Sequence, residues 1–377
     1  NGMDDCGVLS YMFNRVYRMF ETRKYRLLLL VSLFFMSLGA FVGSFEECVP
    51  LVPIAVALAY SLGWDALVGL GMSLLAVGFG FSTGVVNPFT VGVAQQLVGL
   101  PMFSGIWMRL VTFVLIYGLL IAFLIPYAKK IEKTPSKSMI YDPSMTQRWA
   151  SLRTDYVEDK KKDRALIWFA AVLGTGILLI LCSSFVPFLQ EIIMPLIAVI
   201  FLVAGTVSSL VSGMGLRAYM KSFGKGMVNI LPAVLLILMA NSIRYTMTES
   251  KILDTILFKT VQLTQNASSG VVVLMIYALA LVLELFISSG SAKAFLLMPL
   301  IAPIADLSGI SRQIAVLAYA FGDGFSNVFY PTNPVLLISL GIVGIGYGKW
   351  FKWSAKIQLA VLALTSALLL FANAIGY

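Results

Sequence analysis

The sequence contains no histidine and only three cysteines in 377 residues. Without histidine a His-ligated metal site is excluded, and any proton chemistry must use carboxylates. Cys6, Cys48 and Cys182 lie far apart and form no CxxC pair, so neither a disulfide framework nor a thiolate metal site is indicated. No nucleophile–base pair, metal cluster or phosphate-binding loop is recognisable. We therefore expect no enzyme activity, and no cofactor unless a Na⁺ ion serves as one.

Charge is also scarce: charged residues make up 12% of the chain and hydrophobic residues 59%, and the mean hydropathy is +0.91. Apolar runs of about 20 residues recur, each long enough to cross a hydrocarbon core. This composition predicts an all-α polytopic membrane protein, with the lipid bilayer as its surroundings. The net charge of +9 would suggest nucleic acid in a soluble protein. Here the positive-inside rule explains it better, and no nucleic acid partner is expected.

Two interrupted apolar segments are almost identical. Residues 78–82 read Gly-Phe-Gly-Phe-Ser and are followed by Asn-Pro at 87–88. Residues 322–326 read Gly-Asp-Gly-Phe-Ser and are followed by Asn-Pro at 333–334. The two short runs are 244 positions apart and the Asn-Pro pairs 246. Paired Gly/Pro-interrupted membrane segments in two halves of a chain are a sequence indication of a transporter binding site.

The repeat divides the chain into two halves joined by a polar segment. The first predicted repeat covers 1–127 and contains a re-entrant helical hairpin at 26–62 and a broken helix at 65–98. A cytoplasmic linker follows at 128–163. The second predicted repeat covers 164–377 and contains a hairpin at 270–305 and a broken helix at 312–346. Amphipathic helices are predicted at 4–24 and 250–264. Further spans are predicted at 105–126, 165–184, 190–212, 226–243 and 354–374. The hairpin tips at Glu46 and Gly290 share the 244-residue offset.

Basic residues predict the orientation of the two halves. Of the 27 Lys and Arg residues, 21 fall in four regions that are then cytoplasmic: 1–26, 129–164, 214–225 and 347–356. The number of predicted spans between these regions implies that the two repeats cross the membrane in opposite orientations. They would then be related by a pseudo-two-fold axis in the membrane plane. The second repeat begins near Arg164, so the same offset places the start of the first about 80 residues before Asn1. We therefore expect the first repeat to be incomplete at its N-terminal end.

The motifs around the first tip and first break resemble a known family. They are Gly43-Ser44-Phe45-Glu46-Glu47, Asn87-Pro88-Phe89-Thr90, Gly92 and Ala94-Gln95. They are similar to the YfcC-like branch of the C4-dicarboxylate anaerobic carrier family, over nearly the whole chain. The resemblance implies the ion-transporter superfamily fold, with inverted repeats, re-entrant hairpins and an elevator motion, often as a homodimer in the bacterial inner membrane. It also implies a dicarboxylate or, in this branch, a basic amino acid as substrate. Dicarboxylate carriers of the superfamily use Ser-Asn-Thr tips, whereas Glu46-Glu47 here disfavours a doubly anionic substrate.

Ionisable groups at membrane depth are costly and indicate function; they are Glu46, Glu47, Glu284, Lys293 and Asp323. The adjacent glutamates predict a site for a coupling ion or a cationic substrate group, or else one of them caps the second hairpin helix. Lys293 is predicted to pair with a substrate carboxylate or with Glu284. Asp323 replaces Phe79 of the first repeat and is assigned a proton or Na⁺ role.

Polar groups at the breaks and at the second tip complete the predicted site. An unwound segment exposes carbonyl groups to a cation, and the half-helix after it directs N–H groups at an anion. The predicted residues of this group are Ser82, Asn87, Pro88, Thr90, Ser289, Gly290, Ser291, Ser326, Thr332 and Asn333. A Na⁺ ion, if used, is placed near Glu46, Asn87 and Asn333.

The charge count then favours a class of substrate. Four acids face one lysine, so a dicarboxylate would meet net negative charge. The sequence therefore predicts a secondary active transporter of a small carboxylate-bearing metabolite. An amino acid fits best, above all a basic one, taken up or exchanged with coupling to Na⁺ or H⁺. The alternative substrate is a C4-dicarboxylate. The alternative class of protein is an ion channel.

Overall fold

A computed structural model describes residues 2–8, 11–12, 15, 23–141, 159–183, 187–252, 255, 258–259, 262 and 267–377. Within these ranges every regular element is a helix, so the predicted all-α class is confirmed there. Five helical runs are long and apolar enough to cross a membrane: Lys24–Val42, Ala66–Leu97, Ile106–Lys133, Gly290–Leu307 and Tyr347–Ala374. Much of the predicted amphipathic helices at 4–24 and 250–264, and residues 142–158 of the linker, lie outside the described residues.

Two helices joined by a tight turn occupy the predicted first hairpin. Helix α1 (Lys24–Ser37) continues through a π-helical turn at Leu38–Val42. The chain reverses at Gly43, whose φ of 76° is left-handed and suits glycine. A 3₁₀ turn at Glu46–Leu51 then leads into α2 (Val52–Ser61). This geometry places the tip, residues 43–47, between a 19-residue apolar arm and the shorter helix α2.

The first broken helix consists of helical pieces separated by four residues. Helix α3 (Ala66–Leu70), a π-helical turn at Gly71–Leu75 and α4 (Ala76–Thr83) run without interruption. Gly84, with a φ of 52°, ends α4. A second π-helical turn begins at Pro88, and the Asn87 side chain accepts a hydrogen bond from the Phe89 amide at 2.9 Å. Asn as a cap and Pro in the first turn form a local start signal, which leads into α5 (Val93–Leu97).

Four long helices lie between the first broken helix and the second hairpin. They are α6 (Ile106–Lys133), α7 (Lys160–Ser183), α8 (Pro187–Val211) and α9 (Leu216–Glu249). The sequence placed a cytoplasmic loop at 214–225 and a span at 226–243. In the structure Arg217, Lys221 and Lys225 instead lie on the first turns of α9. Lys and Arg are good helix formers, and their long side chains allow a basic first turn to continue into an apolar helix.

The second half repeats the hairpin and the break. Its helices are α10 (Ser269–Glu284), α11 (Gly290–Leu307), α12 (Arg312–Gly324) with a 3₁₀ turn at Phe325–Val328, α13 (Pro334–Val343) and α14 (Tyr347–Ala374). Ser289 caps α11, and Asn333 caps α13 by accepting from the Val335 amide at 3.0 Å. The two Asn-Pro pairs therefore start helices in the same way in both halves.

The repeated glycines lie where the two broken helices cross. A methyl group on Gly324 of α12 would overlap the Ser82 side chain of α4, and one on Gly78 would overlap Val328. Within each half, glycine also brings the broken helix against the first hairpin arm. A methyl group on Gly80 would lie 2.7 Å from the Met36 carbonyl carbon, and one on Gly322 would lie 2.8 Å from the Tyr277 carbonyl oxygen. Small residues that permit backbone contact therefore position both breaks at the centre of the molecule.

Candidate functional site

A cavity of about 230 Å³ lies where both hairpin tips and both helix breaks meet. The first tip contributes Gly43, Phe45, Glu46 and Glu47, and the residues beside the first break contribute Phe81 and Phe89. The second tip contributes Ser288, Ser289, Gly290 and Ser291, and the second break contributes Asn327, Asn333, Pro334 and Val335. Segments nearly 300 residues apart in sequence thus form one pocket.

Six of the predicted site residues line this cavity: Glu46, Glu47, Ser289, Gly290, Ser291 and Asn333. The other predicted residues are Ser82, Asn87, Pro88, Thr90, Lys293, Asp323, Ser326 and Thr332, and none of them is among its lining residues. Ser82 donates to the Gly78 carbonyl at 2.7 Å, and Ser326 to the Gly322 carbonyl at 3.2 Å. These two hydroxyls are engaged by the preceding turn of their own chain segment.

The two glutamates of the first tip occupy different environments. The Glu46 side chain is exposed and borders the cavity. Glu47 is 9% exposed, and its Oε2 accepts a hydrogen bond from the Phe45 amide at 3.0 Å. Glu47 therefore stabilises the turn that forms the tip, whereas Glu46 presents a carboxylate to whatever enters the cavity. The sequence alone left these residues equivalent.

The cavity is also lined by the first residues of two helices. Helix α11 begins at Gly290 and α13 at Pro334. Ser291 donates to the Phe89 carbonyl at 2.9 Å and so ties the second tip to the first break. Helix N-termini carry partial positive charge and bind anions through free N–H groups. At α13 Pro334 has no N–H, and the Val335 and Leu336 amides already bond to Asn333, so this role falls to α11. Among the described residues that line the cavity, none is Lys or Arg.

Lys293 faces away from the cavity into a buried cluster of charges. Its ammonium donates to Glu284 and, at 2.8 Å, to Oδ1 of Asp323. All three side chains are at most 1% exposed. Of the two roles predicted for Lys293, the structure contains the internal ion pair with Glu284. Asp323 was recognised from the sequence as an added charge, but its pairing with Lys293 was not foreseen.

Two residues near the site escaped sequence analysis. Asn327 lines the cavity. It accepts a hydrogen bond from Nδ2 of Asn333 at 2.6 Å and donates one to the Asp323 carbonyl at 3.1 Å. Its position one helical turn after Asp323 is the sequence signal for it. Arg109 is 1% exposed and donates to the Val85 carbonyl at 3.1 Å, inside the first break. The signal for Arg109 is a single arginine within the apolar run of α6.

The amide oxygens expected near a Na⁺ ion already have partners. Oδ1 of Asn87 accepts from the Phe89 amide, and Oδ1 of Asn333 accepts from the Val335 and Leu336 amides. Asn87 also lies outside the cavity lining, whereas Glu46 and Asn333 border it. The Na⁺ site near these three residues stays a prediction.

Similar proteins are known over the whole length of the chain. A relative from Escherichia coli K12, named "Putative basic amino acid antiporter YfcC", is 28% identical over 100% of this chain and 74% of its own length. An uncharacterized protein of Haemophilus influenzae is 29% identical over 88% of this chain and 64% of its own length.

Two solved transporter structures share the fold. The Alcanivorax borkumensis YdaH transporter matches with a TM-score of 0.52 at 20% identity, covering 100% of this chain and 83% of that one. Neisseria gonorrhoeae MtrF, described as illuminating a class of antimetabolite efflux pumps, matches with a TM-score of 0.52 at 18% identity, covering 97% and 77%. At these identities the matches show the fold alone.

The sequence model of a membrane carrier family matches residues 2–374, nearly the whole chain. The family is the C4-dicarboxylate anaerobic carrier family, and the resemblance carried by the first tip and the first break is confirmed. This protein therefore belongs to the C4-dicarboxylate anaerobic carrier (DcuC) family of membrane transporters.

Proposed function

We propose that this protein is a secondary active transporter of a basic amino acid, coupled to Na⁺ or H⁺ or operating by exchange. One observation carries the proposal: the cavity is lined both by the acidic and aromatic side chains Glu46, Glu47, Phe45, Phe81 and Phe89 and by the N-terminus of α11. A molecule with a cationic and an anionic end complements such a lining. The name of the E. coli relative, a basic amino acid antiporter, agrees with this substrate class.

The acidic side suits an ammonium or guanidinium group. Glu46 supplies an exposed carboxylate, and Phe45, Phe81 and Phe89 also line the cavity. The rings of Phe45 and Phe81 lie 5.7 Å apart. A cation over an aromatic face gains about 0.5–2 kcal/mol depending on its desolvation, and a charge-assisted hydrogen bond to a carboxylate adds to this.

The N-terminus of α11 suits a carboxylate. Its first residues, Gly290 and Ser291, border the cavity, and Ser289 adds a hydroxyl group there. Because Lys293 is paired with Glu284 and Asp323, we assign carboxylate binding to backbone N–H groups and hydroxyls rather than to an ammonium group. A helix N-terminus stabilises an anion by roughly 0.3–2 kcal/mol.

The family description favours a second candidate, a C4-dicarboxylate. Its second carboxylate would have to approach Glu46 and the aromatic rings, which is unfavourable unless cations bind with it. The basic amino acid therefore fits the described cavity better.

We also propose that residues 1–127 and 164–377 are inverted repeats joined by a cytoplasmic linker at 128–163. The supporting observation is reciprocal packing. Helix α11 of the second hairpin packs on α5 of the first broken helix, and α2 of the first hairpin packs on α13 of the second. Reciprocal contacts of this kind are what a two-fold axis produces. An elevator motion, a homodimer and a bacterial inner-membrane location belong to the same proposal.

The decisive experiment is solute counterflow in proteoliposomes that contain the purified protein. We expect saturable, stereoselective exchange of radiolabelled arginine that ornithine inhibits and succinate does not. Transport of succinate with no response to arginine or ornithine would refute the basic amino acid assignment. Uptake that never saturates and only follows the gradient would favour a channel.

A further inference from the structure

The strongest unexplained feature is the cluster of Glu284, Lys293 and Asp323, here called the buried triad. It lies directly behind the second tip, and its three side chains are at most 1% exposed. With all groups ionised the triad carries a net charge of −1, from two carboxylates and one ammonium. A buried, uncompensated charge is costly, so such a site tends to gain a positive charge.

The hydrogen bonds of the triad are incomplete. The Lys293 ammonium can donate three hydrogen bonds; one goes to Oε2 of Glu284 and one to Oδ1 of Asp323. The remaining oxygens, Oε1 of Glu284 and Oδ2 of Asp323, are buried and have no partner. Adding one proton to either carboxylate would bring the net charge to zero and turn an unpartnered acceptor into a donor.

An unpartnered hydroxyl of the first half lies beside the triad. Oγ1 of Thr90 is buried without a partner, and the residue is 1% exposed. A methyl group on Gly290 would lie 2.7 Å from Cγ2 of Thr90 and 3.0 Å from Oδ2 of Asp323. Thr90 and the free oxygen of Asp323 therefore flank the same point, at the first residue of α11.

We propose that the buried triad binds the coupling proton of transport. The proposal rests on the proposed transport function and identifies its driving cation as H⁺. A metal ion is disfavoured because the Lys293 ammonium, 2.8 Å from Asp323, would repel it. In the part of the chain that the structure describes, no group of three or more potential metal-ligating acids or thiols converges.

The other titratable groups near the triad leave its charge count unchanged. Tyr319 of α12 interacts with both Asp323 and Glu284, and Tyr330 interacts with Glu284 and Lys293. Tyrosine is neutral near pH 7. The Tyr319 hydroxyl donates to the Gly290 carbonyl and so links α12 to the second tip. Thr90, from the turn at Pro88–Gly92, does not titrate.

The position of the triad explains how a proton and a substrate would be coupled. Gly290 borders the cavity, where a substrate carboxylate would meet the N-terminus of α11. An ionised triad behind this point places a net negative charge close to that carboxylate and weakens its binding. A protonated triad is neutral and removes the repulsion. Proton and substrate therefore bind with positive coupling, and each raises the affinity for the other.

The test uses Asp323→Asn and Glu284→Gln in the full chain, because each amide imitates a protonated acid and leaves Lys293 with one carboxylate partner. Asp306→Asn is the matched control, since Asp306 pairs with Arg312 at the surface. In proteoliposomes without membrane potential, one proton per substrate gives about tenfold arginine accumulation for one unit of pH gradient. We expect this tenfold accumulation in the wild type and in Asp306→Asn. In Asp323→Asn and Glu284→Gln we expect the ratio of internal to external arginine to stay near one.

Asp323→Glu provides a rescue, because a restored carboxylate should restore the response to the pH gradient. Wild-type accumulation in Asp323→Asn and Glu284→Gln would overturn the proposal. So would accumulation that follows a Na⁺ gradient and ignores pH.

A second readout needs no substrate and so separates this proposal from the basic amino acid assignment. If the folded protein binds one proton more than the unfolded chain, its stability rises as pH falls. We expect the melting temperature of detergent-purified wild type and Asp306→Asn to rise between about pH 8 and 6 by more than that of Asp323→Asn. Equal pH dependence in all three proteins would contradict the proposal, even if arginine is not the substrate.

Discussion

The two halves of the chain share their backbone design and differ in where they carry charge. At the offset of 244 residues, Glu284, Lys293 and Asp323 correspond to Ala40, Val49 and Phe79. The three first-half residues are buried and apolar. At the tips the difference is reversed, because Glu46 and Glu47 correspond to Gly290 and Ser291.

The two halves therefore share features of backbone geometry while their charged residues lie at different positions. Glycines at the helix crossing and Asn-Pro caps at the breaks satisfy backbone requirements that both halves share. The charges of the triad are not needed for that shape, since the first half forms it with apolar residues at the three corresponding positions. We therefore assign the acidic tip of the first half to the substrate and the buried triad of the second half to coupling.

The largest expected effect on stability comes from replacing only Lys293 of the triad by an apolar residue, as in the first half. Lys293→Met removes the cation from two buried carboxylates, and breaking such a pair costs about 3–5 kcal/mol. We expect a large fall in the melting temperature of the detergent-purified protein, or failure to fold.

The matched control neutralises the whole triad. Glu284→Leu, Lys293→Met and Asp323→Leu together imitate the apolar first half, and replacement of buried ion pairs by apolar residues is often neutral. We expect this triple variant to be more stable than Lys293→Met alone. The opposite order of melting temperatures would show that the triad, unlike its first-half counterpart, is needed for folding.

The next effect concerns the glycines that the halves share. Gly80→Val places a methyl group against the backbone of Met36, and Gly322→Val does the same against Tyr277. Overpacking of this kind costs about 1–3 kcal/mol or more. Gly118→Val on α6 is the control, because nothing lies within 4 Å of an added methyl group there. Thermal unfolding should separate the control from Gly80→Val and Gly322→Val, and similar melting temperatures for all three would disprove the close packing against the hairpin arms.

The third prediction separates the two tip glutamates. Glu46→Gln removes an exposed carboxylate from the cavity, so we expect the arginine concentration needed for half-maximal thermal stabilisation to rise about tenfold. Glu47→Ala leaves the Phe45 amide unpaired, so it should instead lower the melting temperature, at a cost of about 1–3 kcal/mol. If both variants lost only stability, Glu46 would not contact the substrate.

The smallest effect distinguishes two helix caps. The Ser289 side chain caps α11 beside the cavity, and the Ser311 side chain caps α12 outside its lining. Replacing either by Ala should cost about 0.5–2 kcal/mol of stability. Only Ser289→Ala should also weaken substrate binding, because only that hydroxyl borders the cavity. If melting curves measured with increasing arginine gave equal affinities for Ser289→Ala and Ser311→Ala, Ser289 would not bind the substrate.

Local signals explain what the sequence predicted well. Asn87-Pro88 and Asn333-Pro334 each start a helix, because an Asn side chain can cap it and proline fits its first turn. Gly43 has the positive φ that permits the first reversal. Such signals act within a few residues, so the positions of the breaks and the tips could be inferred without a structure.

Distant contacts explain what was missed. Asp323 and Lys293 are 30 residues apart and Arg109 bonds a carbonyl 24 residues away. Nothing in the local sequence fixes such a distance, so Lys293 could be assigned equally to a substrate or to an acid. Asn327 differs, because its position one helical turn after Asp323 is a local signal, although its bond to Asn333 forms only across the break.

The amino-acid sequence by itself determined the membrane class, the helices and the points where they break, because hydropathy and backbone preferences are properties of short segments. The tertiary structure alone decided which charges are neutralised and which face the cavity. Hydrogen bonds and ion pairs depend on distances of a few ångströms between segments that only folding brings together.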